Sequence, residues 1–132
     1  MRQITIGNIT ETVVERADYP PERIKAILGN ETVAVLGYGV QGRGQSLNMK
    51  DNGVNVIIGL RDKAGKGWDL ATQDGWVPGK TLFSLEEATQ RGTIIQYLLS
   101  DAGQKDQWPT LKPLLTKGKA LYFSHGFSIA YK

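Results

Sequence analysis

An alternating α/β domain, with a parallel sheet between two layers of helices, is predicted by three features of this sequence. Four short apolar runs, at 32–36, 55–60, 93–99 and 119–123, are separated by helix-compatible segments, the order that produces parallel strands with helical crossovers. The run at 55–60 is β-branched and apolar throughout, as a strand covered on both faces should be. The first run leads directly into Gly37-Tyr38-Gly39-Val40-Gln41-Gly42, so strand, turn, helix and next strand fit within about 30 residues, the span of a βαβ unit.

Residues 1–30 read as an arm and a short helix, and residues 31–132 as the main domain. Ile4 and Ile6 alternate and the chain stays rich in β-branched residues to Val14, which predicts one short strand. A helix start follows at 17–22, with Asp18 as cap candidate, Pro20 and Pro21 in the first turn and Glu22 near the positive end. Ile24, Ile27 and Leu28 share one apolar face, expected to cover an end of the sheet, and Gly29 stops the helix. After the glycine turn a helix is predicted over about 40–50, with Leu47 toward the sheet and Asn52-Gly53 as its stop.

Beyond the second strand, 68–73 reads as a helix and 75–79 as a short third strand or a turn. Ser84-Leu85-Glu86-Glu87 is an S-x-x-E capping box, opening a helix that ends near Arg91-Gly92. The strand at 93–99 ends in the polar loop Ser100-Asp101-Ala102-Gly103-Gln104, and loops at that end of a parallel strand are where ligands bind. Asp106 is expected to cap the next helix, with Pro109 in its first turn, Pro113 forcing a kink or a late start, and Leu111, Leu114 and Leu115 along it. The last strand delivers Ser124-His125-Gly126-Phe127 to the edge that carries the glycine turn.

The composition, 40% hydrophobic and 22% charged over 132 residues, is that of one globular domain. There is no apolar run near 18 residues, so no membrane span is expected. The first residues lack the features of a signal or transit peptide, so the expected location is cytoplasmic, with an organelle open if a transit peptide was removed. The absence of cysteine excludes disulfides, a thiol nucleophile and thiolate metal ligands. A net charge of +3 with scattered basic residues provides no basic stripe interleaved with aromatics, so nucleic acid is not an expected partner. Glu86 and Glu87 are adjacent and point to different helix faces; they suit the helix dipole better than a metal. No Asp/Glu set has the spacing of a two-metal site.

The glycine turn carries the strongest chemical signal. Gly37 lets the chain turn off the strand, Gly39 lets the backbone approach a pyrophosphate, and Gly42 lets the helix pack closely. The phosphates would then lie at a helix N-terminus, where free N–H groups and the macrodipole favour negative charge. This makes the fold a Rossmann-type, doubly wound, three-layer αβα domain. After the second strand comes Arg61-Asp62-Lys63-Ala64-Gly65-Lys66-Gly67, where three basic residues face one acid. In this fold that loop reads the adenosine ribose: an acid selects NAD, and basic residues accept a 2′-phosphate. The balance favours NADP, with Asp62 keeping NAD open. His125, the single histidine, follows a strand between serine and glycine, a placement that suits either a surface residue or a catalyst.

The stretches G-Y-G-V-Q-G-R-G-Q-S-L-N (37–48), D-G-W-V-P-G-K-T-L-F (74–83), L-L-S-D-A-G-Q (98–104) and S-H-G-F (124–127), with E-R-A-D-Y-P at 15–20, together resemble ketol-acid reductoisomerase. The resemblance implies that Tyr38, Gly39, Val40 and Gln41 form the pyrophosphate turn, and that Arg61 meets the adenosine phosphate. It also implies that Ala102, Gly103 and Gln104, after Ser100, touch the cofactor, and that His125 is the active-site histidine. The implied activity is conversion of 2-acetolactate to 2,3-dihydroxy-3-methylbutanoate in valine and isoleucine biosynthesis. That reaction is an alkyl migration assisted by magnesium, then hydride transfer from NADPH. Where relatives carry a serine before the tryptophan of the ribose loop, this chain has Gly67, beside Lys66, which removes a hydroxyl donor and weakens the NADP preference. The resemblance further implies that the sheet is truncated at Lys132 and that the family's helical, magnesium-binding domain lies outside this chain, so that the chain alone is inactive. Two other readings are a non-catalytic NAD(P)-binding regulatory module and an assembly unit that self-associates through exposed sheet or helix surface.

Overall fold

The computed structural model describes residues 1–131, and its first element departs from the expected single strand. Strands β1 (Arg2–Ile6) and β2 (Ile9–Val13) pair antiparallel as a hairpin, with Ile6 opposite Ile9. The two intervening residues explain it: Gly7 has φ 61° and precedes Asn8, a two-residue hairpin turn. A 3₁₀ turn, Arg16–Asp18, leads to α1 (Pro21–Leu28). Asp18 does not cap that helix. Its carboxylate accepts from the Glu15 backbone N–H, while Pro20 occupies the N-cap. Nor does α1 cover the sheet, for none of its residues is buried and Ile27 is 57% exposed.

From β3 (Val33–Leu36) through Leu60 the sequence pattern and the structure agree closely. Helix α2 (Val40–Asp51), strand β4 (Val56–Leu60) and helix α3 (Lys66–Gln73) follow, α3 starting two residues before the expected position. The segment 75–79 is a turn. The third strand of this half is β5 (Leu82–Ser84), whose three residues are too few to show a period in the sequence. Ser84 caps α4 (Leu85–Arg91) by accepting from the Glu87 N–H. The Glu87 carboxylate does not complete the box; it pairs with Arg91, 3.0 Å away.

Strand β6 (Ile94–Tyr97) is followed by α5 (Asp101–Leu111), whose cap is Ser100 rather than Asp106. Asp106 lies in the middle of α5, and Pro109 falls inside it. The ring removes an N–H that would bond the carbonyl of Lys105, and both residues are exposed, so water can take that carbonyl. A 3₁₀ turn, Lys112–Leu114, absorbs Pro113 before β7 (Ala120–Tyr122) and the short α6 (Phe127–Ala130).

The main sheet has the order β5-β4-β3-β6-β7, parallel at every pairing. Alternation along the strands divides the core into two layers. Val33, Val35, Val56, Ile58 and Leu60 face one helix layer with Ala71, Leu47 and Leu70 of α2 and α3. Ala34, Leu36, Ile57 and Ile95 face the other with Leu85, Ala88 and Leu111 of α4 and α5. The arrangement is the expected doubly wound αβα sandwich. On the α4 side, the Lys119 ammonium donates to the carbonyls of Thr89, Gln90 and Gly92 at 2.7–2.8 Å, closing the C-terminal end of α4.

Candidate functional site

The chain winds outward from β3 in both directions, to β4 and β5 on one side and to β6 and β7 on the other. Such a reversal opens a crevice at the carboxyl ends of the two central strands. The glycine turn fills the β3 end of it. Gly37 adopts φ 104°, and a Cβ there would come within 2.8 Å of the Leu98 carbonyl oxygen. A Cβ at Gly42 would lie 2.2 Å from the Gly37 carbonyl oxygen, so the first turn of α2 packs directly on the turn that precedes it. Gly39 differs: it is exposed, and a Cβ would meet nothing within 4 Å. The space in front of the α2 N-terminus is therefore open, and Val40, 89% exposed, and Gln41 stand beside it. The first N–H groups of a helix have no partner within it, which makes this a cradle for an anion.

Tyr38 behaves unlike its neighbours in the motif. Its ring is buried, and its hydroxyl donates to Asp74 Oδ2 at 2.6 Å and accepts from Trp76 Nε1 at 3.0 Å. Arg43, in the first turns of α2, reaches the same carboxylate through Nε at 2.8 Å and Nη2 at 3.1 Å. Burial, then the Asp74 hydrogen bond, pushes the Tyr38 phenol up to about 12. The Arg43 hydrogen bonds, then that of Tyr38, hold the Asp74 carboxyl below its usual range. The turn offers a ligand its backbone at Tyr38, not the phenol. None of Asp74, Arg43 and Trp76 was singled out from the sequence; Arg43 directly after the third motif glycine was the available signal.

Arg61 stands just past β4, exposed, with Nη1 3.4 Å from Asp106 Oδ2 on α5. Lys66 opens α3 and is exposed, and Gly67 has no atom nearer than 3.8 Å to a Cβ position, so that side of the loop has room. Across the crevice, Ser100, Ala102 and Gly103 form the first turn of α5. Gln104 was expected to touch the cofactor, yet its amide is turned inward. Nε2 donates to the Leu99 carbonyl at 2.9 Å and more weakly to that of Tyr97, and Oε1 accepts from Ser128 Oγ at 2.6 Å. Its backbone carbonyl takes the Tyr97 hydroxyl at 2.6 Å, in a site whose burial pushes that phenol up to about 12. Gln104 therefore joins β6, α5 and α6.

His125 lies beyond β7, exposed, and its Nδ1 accepts from the Phe127 N–H at 3.1 Å. With Nδ1 an acceptor, the neutral ring carries its proton on Nε2. The loop is tied to α2 by Gln45, whose Nε2 donates to Ser124 Oγ at 3.0 Å. Among the described residues no three His, Asp or Glu side chains gather in a way that could hold a metal ion. Among the described residues no helix is long and apolar enough to cross a membrane.

The sequence model of a family described as acetohydroxy acid isomeroreductase, NADPH-binding domain, matches residues 27–132. The mitochondrial ketol-acid reductoisomerase of Saccharomyces cerevisiae is 57% identical over 132 residues, 100% of this chain and 33% of its own length. A protein of Desulfosudis oleivorans named ketol-acid reductoisomerase (NAD(+)) is 53% identical over 132 residues, again 100% of this chain and 37% of its own. A solved structure described as an NADH-preferring ketol-acid reductoisomerase from an uncultured archean matches with a TM-score of 0.71 and 38% identity, over 80% of this chain and 32% of that one. The chain thus spans about a third of the length of the curated relatives it matches.

Proposed function

The chain belongs to the ketol-acid reductoisomerase family, and from that premise we propose that its crevice binds a nicotinamide dinucleotide in the service of that reductoisomerase reaction. The observation that carries this is the open, exposed backbone at Gly39 in front of the α2 N-terminus. Across the carboxyl edge the order is Arg61 after β4, the glycine turn after β3, Ser100 after β6 and His125 after β7. Those ends span about three strand spacings, ~14 Å, room for an extended dinucleotide. The adenosine end lies toward Arg61, the pyrophosphate on the α2 N–H groups, and the nicotinamide toward Ser100 and His125. When bound, the cofactor supplies a hydride. The protein's own contribution is to hold the phosphates by backbone donors, to offer a guanidinium to a 2′-phosphate, and to place the His125 ring at the far end. Oxidoreductase chemistry on 2-acetolactate is the activity this part serves.

The described residues assemble no carboxylate set for magnesium. The 132-residue chain by itself is expected not to turn over 2-acetolactate. Fungal relatives carry the word mitochondrial in their names; that compartment stands beside the cytoplasm as the place of action.

Gly39→Val tests the site. A Cβ at position 39 meets nothing within 4 Å and the residue is exposed, so thermal stability should change little, whereas the added side chain fills the space a pyrophosphate needs. Calorimetric titration with NADPH and NADH is expected to show binding weakened by at least about tenfold, or about 1.4 kcal/mol. Equal binding by the variant and the unaltered chain would remove the pyrophosphate from this turn.

A further inference from the structure

The geometry points to Asp106 as the residue that tunes preference for a 2′-phosphate, by holding Arg61 in an ion pair that the phosphate has to open. This rests on the reading of the crevice as a dinucleotide site. Arg61 follows β4, while Asp106 belongs to α5, the helix after β6. Strand β3 lies between those two strands, so the 3.4 Å contact between Arg61 Nη1 and Asp106 Oδ2 joins the segments that follow the two strands flanking β3. The Gln107 amide donates to the same Oδ2 at 3.0 Å and steadies the carboxylate. Arg61 has no other side-chain hydrogen bond among the described residues.

A carboxylate and a phosphate monoester compete for the same guanidinium donors. Asp106 therefore stands in for the 2′-phosphate within the chain itself. A cofactor ending in a 2′-hydroxyl gains little from the guanidinium and leaves the pair closed. One carrying the phosphate binds only to the fraction of molecules in which Arg61 is free. The two side chains are 67% and 64% exposed, so the pair is weak and reversible. A pair of that strength lowers apparent affinity for the phosphorylated cofactor by about 2- to 6-fold.

The experiment is a set of equilibrium titrations of the 132-residue chain with NADPH, NADH and adenosine 2′,5′-bisphosphate. Asp106→Asn is expected to strengthen binding of NADPH and the bisphosphate by about 2- to 6-fold and to leave NADH unchanged. In an Arg61→Ala background the same substitution should do nothing. Equal gains for both cofactors, no gain, or a gain that survives removal of Arg61 would each overturn the inference. If the unaltered chain binds neither cofactor, the crevice reading falls and takes this one with it. If it binds both and their ratio ignores Asp106, the crevice reading stands and this inference alone fails. Both residues are exposed, so circular dichroism and melting temperature should match the unaltered chain throughout.

Discussion

Tyr38 sits in the middle of the glycine motif, yet only 7% of it is exposed, and both hydrogen bonds of its hydroxyl run into the protein. The motif alone can describe where a backbone turns; it cannot say which way a side chain in it goes. Gln104 makes the same point from the other wall, since its partner Ser128 is 24 residues away and no local pattern announces it. Gln96 is the opposite case, a buried amide whose Oε1 has no hydrogen-bond partner among the described residues. Its Nε2 reaches only the Met49 sulfur, at 3.8 Å. Burying an unsatisfied carbonyl oxygen is unfavourable, and an apolar group of similar shape is neutral or better. Gln96→Met should therefore raise unfolding stability by about 1 kcal/mol, read from chemical denaturation; a loss of that size would mean that the amide is satisfied in solution.

At the scale of elements, Asp74 is the C-cap of α3 and binds both the turn after β3, through Tyr38, and the start of α2, through Arg43. This lock holds α2 to the segment leading into β5. Its carboxyl is held below the ordinary 3.8, so its contribution is present above that pH in full and fades as pH falls through the depressed folded value. Asp74→Asn is accordingly expected to lower the melting temperature at neutral pH, with the gap between variant and parent closing below about pH 4. A gap that persisted at pH 2 would show the ionised form to be irrelevant. Elements with strong local signals were legible from the sequence: β3, β4, the Ser84 cap and the Asn52-Gly53 stop all stand where the pattern put them. Those missed were short or mixed in signal. The strand β5 has three residues, Gly7-Asn8 hid a hairpin in an arm with little amphipathic contrast, and Asp106 competed with Ser100 as a cap of α5.

Over the whole molecule, every buried residue lies from Val33 onward. An isolated hairpin is marginal in water, and this one, with Ile6 and Ile9 both mostly exposed, adds no core. Deleting residues 1–14 should change the unfolding free energy of the remainder by under about 0.5 kcal/mol; a larger loss would reveal a contact that burial does not register. The strand order is a different matter. Alternation of strands and helices predicts a parallel sheet, and the glycine turn marks β3 as its start, but which side β6 takes depends on packing between helices distant in sequence. Helix α4 shows that packing: it lies on β3, β4 and β5 and meets α5, with Leu85, Ala88 and Leu111 in one core layer. The Lys119 ammonium grips three carbonyls at the end of α4 from the residue just before the edge strand β7. Peeling β7 away pulls that ammonium out with it and strips three acceptors at once. The amide protons of β7 and of the last turn of α4 therefore belong to one cooperative opening unit, and they should exchange with deuterium together, although they lie in different layers of the sandwich.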